Sequence, residues 1–222
     1  MFQTIVLHKN LCIVLSLIFI GVSPLFSSNY IGISLSSNMT IIDSEDGDSH
    51  LSTKPGWEIG FKDLFFFDKN ETIGIECSLT VGSIFPFSKS TFTLLDMPIY
   101  DNDIENSEQT ATSLRILSYF AKSLKKKNNF VAFGIGYSIS ALDFPRSYDT
   151  GVFIRYSKIE TIVDYGIKDP NDAAMFFSMN IGLPFGLHYE ANLDDDNFEG
   201  SLSIRGLSLS VGVNLMLNNN WG

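Results

Sequence analysis

Charged residues at alternating positions are the first group in this sequence whose types and spacing could do chemistry. Glu58 and Lys62 have the same parity within one apolar stretch, and Glu76 lies in the next stretch. Residues of one parity share a face of an extended strand, so we expect these charges on one side of a sheet. The same interpretation covers further charged residues in alternating segments: Arg115, Arg155, His188, Glu190 and Arg205. Charges of both signs on one face would either pair with one another or provide a polar path for a solute.

Nucleophilic catalysis is the second chemistry to consider, and the sequence gives it little support. His50 and Ser52 are two residues apart, with Glu58 following. On a strand this spacing places the imidazole and the hydroxyl on one face, where the histidine could activate the serine. The pair lies in a polar stretch without an orienting group, and His188 stands alone. Because the sequence also contains no glycine-rich phosphate loop and no Cys/His cluster, we predict that the chain is not an enzyme and has no cofactor.

Two acidic clusters, at residues 43–48 and 194–196, offer oxygen ligands of the kind that calcium takes. The first cluster has its glycine at the fifth place and lacks the terminal glutamate of an EF-hand loop. We therefore predict solvated loop tips and no metal site, with calcium binding as the minor alternative.

The amino terminus has the three parts of a secretory signal peptide. Lys9 precedes a twelve-residue apolar run from Leu11 to Val22, and small residues follow as far as Ser28. The run is shorter than the roughly 20 apolar residues that a membrane-spanning helix needs. We predict a cleaved signal peptide at residues 1–28 and one domain at residues 29–222.

Charge and cysteine content narrow the class of the mature chain. The sequence has 25 acidic and 15 basic residues, a formal net charge of −10, which argues against nucleic acid as a partner because nucleic acid is bound through basic stripes. With Cys12 in the predicted signal peptide, Cys77 is the one remaining cysteine, so an internal disulfide is not possible. Stability must come from a large core or from a membrane.

The remaining chain alternates with a period of two, the pattern of a β-strand. In the clearest segment one face is apolar and consists of Leu207, Leu209, Val211, Val213, Leu215 and Leu217. The alternating positions form the other face, with Ser208, Ser210, Gly212, Asn214 and Met216. Small inward residues and apolar outward residues over about 9–11 positions are typical of a membrane barrel. We predict an all-β protein, an eight-stranded antiparallel up-and-down transmembrane β-barrel, with strands near 29–41, 55–67, 71–84, 111–123, 129–141, 150–164, 174–190 and 199–217.

Irregular alternation and connection lengths add detail to this prediction. The alternation changes phase between Tyr156 and Ile159, where we expect a bulge, and again near Gly206. Pro184 predicts a bulge or local break. Short links at 68–70, 124–128 and 167–172 alternate with longer ones around 42–54, 85–110, 142–149 and 191–198. Outer-membrane barrels have short periplasmic turns and longer extracellular loops, which places the long connections outside the cell.

The segment Phe133-Gly134-Ile135-Gly136-Tyr137-Ser138 and the closing strand resemble the eight-stranded outer-membrane barrels of the OmpW, OmpX and opacity-protein type. The closing strand also resembles the assembly signal that the outer-membrane insertion machinery recognises, with Ser210, Gly212, Leu215 and Leu217 in its places. The chain departs from that signal by continuing to Gly222 instead of stopping on an aromatic residue. The resemblance implies a monomer in the bacterial outer membrane, in contact with its lipid and with the insertion machinery.

Two functions from different classes remain at this point. One is a narrow, porin-like channel for small or hydrophobic solutes, in which the interior charges tune passage. The other is a non-conducting barrel, held shut by salt bridges, whose extracellular loops contact the envelope or a host ligand; the apolar content of residues 85–110 favours a lid or a contact surface. An interior only wide enough for side chains favours the plug over the open pore.

Overall fold

The computed structural model describes residues 27–47, 49–84, 91–94, 97–98, 109–124, 128–145, 151–168, 173–193 and 196–218. Eleven strands are formed by these residues: β1 (Ser28–Ser44), β2 (His50–Phe66), β3 (Ile73–Ile84), β4 (Thr91–Leu94), β5 (Met97–Pro98), β6 (Gln109–Ser123), β7 (Asn129–Pro145), β8 (Gly151–Lys168), β9 (Ala173–Leu193), β10 (Asp196–Leu202) and β11 (Ile204–Asn218). Within these ranges no helix has the length and apolar character needed to cross a bilayer. The predicted signal peptide lies outside the described residues except for its last two positions.

Eight of the strands close into a ring. β1 pairs with β2 on one side and with β11 on the other, and each remaining ring strand pairs with its neighbours in the order β2, β3, β6, β7, β8, β9, β11. Every pairing is antiparallel. The predicted eight-stranded, all-β, up-and-down barrel is therefore confirmed.

A broad apolar band covers the outside of the ring. Its most exposed members come from four different strands: Ile33, Ile59, Leu183, Val211 and Leu217, each between 56% and 66% exposed. Large apolar side chains are this exposed on a monomer only where something other than water surrounds them. The band is the lipid-facing surface of a membrane barrel.

The interior has an apolar cluster at each end and polar side chains between them. The cluster at the short-turn end, here called the lower core, consists of Tyr30, Leu64, Phe66, Leu117, Tyr119, Phe130, Ala132, Ile162, Ala174, Phe176 and Met216. The cluster at the opposite end, the upper core, consists of Ile42, Leu51, Ala111, Leu142, Val152, Ile154, Tyr156, Leu187, Tyr189 and Ile204. Following the usual orientation of outer-membrane barrels, the lower core is periplasmic and the upper core is extracellular.

Around the upper core the two faces of the wall exchange their character. Apolar side chains such as Ile154 point inward, whereas Arg155 and Arg205 point outward and are exposed. The strands therefore continue above the apolar band as a barrel with a dry interior and a wet exterior. We call this part the extracellular section, and the part carrying the apolar band the membrane section.

This continuation corrects several predicted boundaries. The predicted long connections around 42–54, 142–149 and 191–198 begin or end within strands, since β1 reaches Ser44, β2 begins at His50, β7 reaches Pro145 and β9 reaches Leu193. The phase changes near Ile159 and Gly206 are not bulges in their own strands, because β8 pairs with β7 without a shift from Gly151 to Ile167 and β11 pairs with β1 without a shift from Ile204 to Asn218. Both mark the height at which inside and outside exchange.

Two true irregularities lie in the wall. One is a register shift between β1 and β2 at Asn38 and Thr40. The other is a shift in the β8–β9 ladder, where Ser157 pairs with Gly186 and Lys158 with Pro184. Because proline has no backbone N–H to donate, Pro184 interrupts the ladder where the sequence predicted a bulge or break, and that prediction is confirmed.

Residues 85–110, predicted as a long apolar loop, are described only in part. β4 pairs with His50–Ser52 of β2, and β1 pairs with the other edge of the same residues. β4 therefore lies on the edge of β2 that β3 occupies lower down. It continues the position of β3 into the extracellular section, and β5 adds a short hairpin to it.

Candidate functional site

Six charged side chains form a connected network inside the membrane section. The Lys62 Nζ lies 2.8 Å from Glu76 Oε2 and 3.2 Å from Asp164 Oδ2. Arg115 bonds Glu76 through Nη2 at 2.7 Å and reaches Glu160 through Nη1 at 3.5 Å. Lys158 Nζ lies 2.5 Å from Glu160 Oε1. We call Lys62, Glu76, Arg115, Lys158, Glu160 and Asp164 the ion network.

Strand register explains how these side chains meet. Lys62 and Arg115 both lie opposite Ser78 of β3, one on β2 and the other on β6, and Glu76 is the next inward residue of β3. β8 supplies the other three members from inward positions on the far side of the barrel. Ordinary period-two alternation in four strands thus directs all six side chains into the interior of the membrane section.

Lys62 sits at the lower edge of the ion network and is completely buried. Its ammonium faces the rings of Tyr119 and Phe176, at 5.9 and 5.5 Å from their centroids, a favourable cation–π arrangement. Tyr119 also donates a 2.7 Å hydrogen bond to Asp164. The ion network is therefore continuous with the lower core, and the two together fill the barrel at this height.

A second set of contacts closes the periplasmic mouth below the lower core. The Tyr30 hydroxyl donates a 2.9 Å hydrogen bond to Glu71, and Lys168 forms an ion pair with the same carboxylate. The Lys168 ammonium also lies over the rings of Tyr30 and Phe130. Glu71 holds a left-handed backbone conformation with φ of 54°, unusual for a residue other than glycine, at the turn from which its side chain makes these contacts.

Above the ion network the interior holds a polar chamber of about 40 Å³. Its lining consists of small polar side chains and four charged ones: Ser34, Ser36, Asn38, Glu58, Ser78, Thr80, Ser113, Arg115, Lys158, Glu160, Ser178, Asn180, Ser210, Gly212 and Asn214. A smaller cavity of about 10 Å³ lies next to it, and Asn38, Glu58 and Ser113 line both. A cavity needs about 10–15 Å³ to hold one water, so the chamber has room for a few polar species of the size of a water molecule.

Four of the eight charged residues that the sequence assigned to the lumen lie in the interior. Lys62 and Glu76 are completely buried and paired, Arg115 bridges Glu76 to Glu160, and Glu58 faces the chamber. Glu58 accepts a hydrogen bond from Asn38 at 3.2 Å and takes part in none of the ion pairs among the described residues.

The assignment of Arg155, His188, Glu190 and Arg205 to the lumen is wrong. Arg155, Glu190 and Arg205 are exposed, and His188 shares the outer face with Glu190 while Leu187 and Tyr189 point inward. All four lie in the extracellular section, where the outer face meets water. For Arg155 and Arg205, the neighbouring apolar residues were assigned to the lipid-facing side although they point into the upper core. For His188 and Glu190, the alternation was followed through the register shift at Pro184, where the inward parity of β9 changes.

The sequence also missed three members of the ion network, Lys158, Glu160 and Asp164. They continue the parity of Val152, Ile154 and Tyr156 on β8. Because those apolar residues were taken as outward, the charges that follow them on the same face were not recognised as interior. The available signal was the run of charges on one parity in the membrane-spanning part of the strand.

The histidine and serine residues considered for catalysis are separated from the interior. His50 lies 2.6 Å from Asp43 on the outer face, whereas Glu58 faces inward beyond the irregularity in β2. On the same outer face His188 Nδ1 lies 3.2 Å from Ser201 Oγ, and its Nε2 lies 3.6 Å from Glu190 and from Glu199. A hydroxyl, imidazole and carboxylate in sequence can activate a nucleophile, and here the three groups lie on directly paired residues of β9 and β10, outside the barrel interior.

The residues of the predicted assembly signal all lie on β11. Leu215 and Leu217 face outward and are 53% and 66% exposed, and Ser210 and Gly212 line the chamber. A Cβ added to Gly212 would come within 2.9 Å of the Leu35 carbonyl oxygen and the Ser36 Cβ. The glycine thus permits close packing of β11 against β1 where the barrel closes. Among the described residues no group of three His, Cys, Asp or Glu side chains could hold a metal ion, and the acidic residues 194–195 lie outside them.

Closed ring, apolar outer band and polar interior together define an outer-membrane β-barrel of eight strands. Two solved structures share this fold with the chain at very low sequence identity. Neisserial surface protein A is 8% identical with a TM-score of 0.51, over 83% of this chain and 96% of its own. The outer membrane protein OprG from Pseudomonas aeruginosa is 9% identical with a TM-score of 0.54, over 86% of this chain and 97% of its own.

Both structures are eight-stranded outer-membrane barrels of the OmpW/OmpX type, so the resemblance predicted from the sequence is confirmed as a likeness of fold. No protein-family model matches the chain, and no curated protein sequence matches it. The shared fold and the apolar band support the predicted location in a bacterial outer membrane.

Proposed function

We propose that this protein is an outer-membrane barrel with a closed interior, which acts through its extracellular section as a contact surface for an envelope or host partner. A narrow channel, the other function expected from the sequence, is the opposite outcome of the test below. One observation carries the choice: Lys62 and Glu76, in the middle of the lumen, are completely buried and paired.

The closure involves three successive levels of the interior. Phe176 and Leu64 in the lower core are at most 1% exposed, the ion network follows, and Ile154 in the upper core is again inaccessible. Residues that line an aqueous pore would be solvated along its length. The interior of an eight-stranded barrel is just wide enough for side chains to fill it, and here they do so above and below a chamber of only about 40 Å³.

The extracellular section has the qualities of a rigid display surface. Its interior is a packed apolar core. Its outer face carries side chains of both charges, which include hydrogen-bond donors and acceptors. Binding residues are commonly presented by a rigid scaffold at the ends of its strands. The exposed Arg155, Arg205, Glu190 and Glu199 side chains would supply the polar contacts.

Conductance in planar bilayers tests the closed interior. We expect the purified protein to give no single-channel openings, whereas a variant with Lys62→Ser and Arg115→Ser, which removes two large side chains from the ion network, should admit ions. Lys69→Ser in the exposed periplasmic turn is the matched control and should stay silent. Heat-modifiable migration on a gel verifies that each variant is folded. Steady openings from the unaltered protein would overturn the proposal.

Surface labelling tests which part is presented outside the cell. In a Cys77→Ser background, Arg205→Cys should react in intact cells with a membrane-impermeant maleimide, and Ile33→Cys in the apolar band should not. Equal labelling of both positions would contradict the assignment of the extracellular section.

A further inference from the structure

We infer that the polar chamber is a binding site for a monovalent cation, held by the Glu58 carboxylate together with hydroxyl and amide oxygens of neighbouring strands. This site is distinct from the contact surface proposed above, and it rests on the lining of the chamber and not on that proposed function. Three observations carry it: the balance of buried charge, the direction of the hydrogen bonds that reach Glu58, and the oxygen lining of the chamber.

The buried charges do not balance. Among the described side chains of the membrane section's interior there are four carboxylates, from Glu58, Glu76, Glu160 and Asp164, and three cations, from Lys62, Arg115 and Lys158. All three cations form ion pairs with the other three carboxylates. Lys158 also attracts Glu58 across the chamber, but four carboxylates against three cations leave one excess negative charge. An isolated ionised carboxylate is costly to bury unless a positive charge accompanies it.

A chain of hydrogen bonds leads to Glu58. Thr40 donates to Ser208 at 3.0 Å, and Ser208 donates to the Asn38 amide oxygen at 3.2 Å. Asn38 then donates from Nδ2 to Glu58 Oε1 at 3.2 Å. Every donor in this chain points toward the carboxylate, which leaves its remaining acceptor capacity for a ligand in the chamber. A bound cation there completes the charge balance.

The lining of the chamber is suited to a small, hard cation. Ser34 lines the chamber and is only 8% exposed. Its Oγ has no hydrogen-bond partner within the described protein. The Asn180 Oδ1 is another buried oxygen of the lining without such a partner. Hydroxyl, amide and carboxylate oxygens are the ligands that hard cations prefer. One unbalanced carboxylate matches a single charge, so the site fits Na⁺ or K⁺ better than a divalent ion.

Thermal unfolding in detergent tests the site directly, with Na⁺ itself as the probe. Folded and unfolded forms are resolved on a gel after heating, in sodium chloride or in choline chloride of equal ionic strength. Ligand binding to the folded state raises its stability with concentration, so above the dissociation constant each tenfold increase in Na⁺ should raise the midpoint by about 3–5 °C. Glu58→Gln keeps the acceptor for Asn38 and removes the charge, and should abolish the dependence on Na⁺. Ser34→Ala should reduce it.

Matched controls lie on the outer face. Glu190→Gln and Ser118→Ala are exposed positions and should leave the response to Na⁺ unchanged. The inference is overturned if the unaltered protein responds equally to both salts, if Glu58→Gln still responds to Na⁺, or if only pH shifts the midpoint through Glu58, which would make a proton the counter-charge. A conducting barrel that kept the Glu58-dependent response would overturn the proposed function and leave the cation site standing.

Discussion

Ile154 and Ile159 lie five residues apart on β8 and have opposite surroundings. Ile154 is inaccessible and belongs to the upper core, whereas Ile159 is 50% exposed on the apolar band. β8 pairs with β7 without a shift across this interval, so the strand itself does not change its register. What changes is the medium outside the wall, which is lipid around the membrane section and water around the extracellular section.

The comparison shows that the medium outside decides which face of a strand is apolar. In the membrane section apolar residues face lipid, and the interior holds the ion network and the chamber above the apolar lower core. In the extracellular section polar residues face water, and burial of apolar side chains stabilises the interior as in a soluble protein. The two sections should therefore respond in opposite ways to the same type of substitution.

Loss of the buried lysine should have the largest effect. Lys62→Met leaves the Glu76 and Asp164 carboxylates without their shared cation, and breaking a buried pair in this way commonly costs about 3–5 kcal/mol. Urea unfolding in detergent or bilayers measures the loss. Adding Glu76→Gln to Lys62→Met should recover part of it, and Lys69→Met in the exposed turn is the control. A loss for Lys62→Met no greater than that of the control would mean that charges do not stabilise this interior.

A smaller but comparable loss is expected in the upper core. Ile154→Ala removes buried methyl groups and leaves a cavity, which typically costs about 2–5 kcal/mol. The same change at Ile159 alters a side chain in contact with lipid and should cost clearly less. The difference between the two free energies of unfolding measures how far the extracellular section behaves as a soluble core. Equal costs would remove the distinction between the sections.

The exchange of faces also explains how much could be predicted from the sequence. Alternation across Leu207–Leu217 predicted the closing strand correctly, because one medium surrounds it along its whole length. At Val152, Ile154 and Tyr156 the alternation is equally regular, but the sequence alone does not say which parity faces outward. Lipid and a dry core both select apolar residues, so the same pattern predicts opposite orientations.

Contacts between side chains across the interior are harder to predict from a sequence than pairings between neighbouring strands. Glu76 was correctly expected near Lys62, since their strands are adjacent in the chain. Asp164 is 102 residues from Lys62, and the curvature and closure of the sheet bring the two together. Glu58 was expected to join the same pairs, but its side chain faces the chamber one level higher. Register fixes which strand neighbours a residue has, whereas contacts across the lumen depend on the shape of the whole ring.

A charge added to or removed from the outer face should have the next largest effect, and the effect should differ between the two sections. Val163 is 50% exposed on the apolar band, and Val163→Arg places a charge in lipid, at a cost of about 2–4 kcal/mol near the middle of the membrane and less toward its edge. The reverse change, Arg155→Val on the extracellular section, should alter stability by about 0.5 kcal/mol or less, as surface substitutions usually do. Both values come from reversible unfolding in lipid vesicles. A large cost for Arg155→Val would show that this arginine is not simply solvated.

The smallest effect is expected at a charge that neither section buries, in the periplasmic turn between β2 and β3. Asp68 accepts hydrogen bonds from the backbone N–H groups of Ile73 at 3.0 Å and Thr72 at 2.8 Å, and from the Thr72 hydroxyl at 2.7 Å. The bond from Ile73, followed by that from the Thr72 side chain, lowers the pKa of the Asp68 carboxyl.

A carboxyl with a lowered pKa in the folded state contributes stability above its unfolded pKa of about 3.9, and that contribution is lost as the pH falls through the folded value. Asp68→Asn should therefore speed amide hydrogen exchange at Thr72 and Ile73 at pH 7, and the difference from the unaltered protein should shrink as the pH falls below the unfolded pKa and through the lowered folded one. A difference for Asp68→Asn that stayed constant between pH 7 and pH 3 would show that the turn depends on the shape of the side chain and not on its charge.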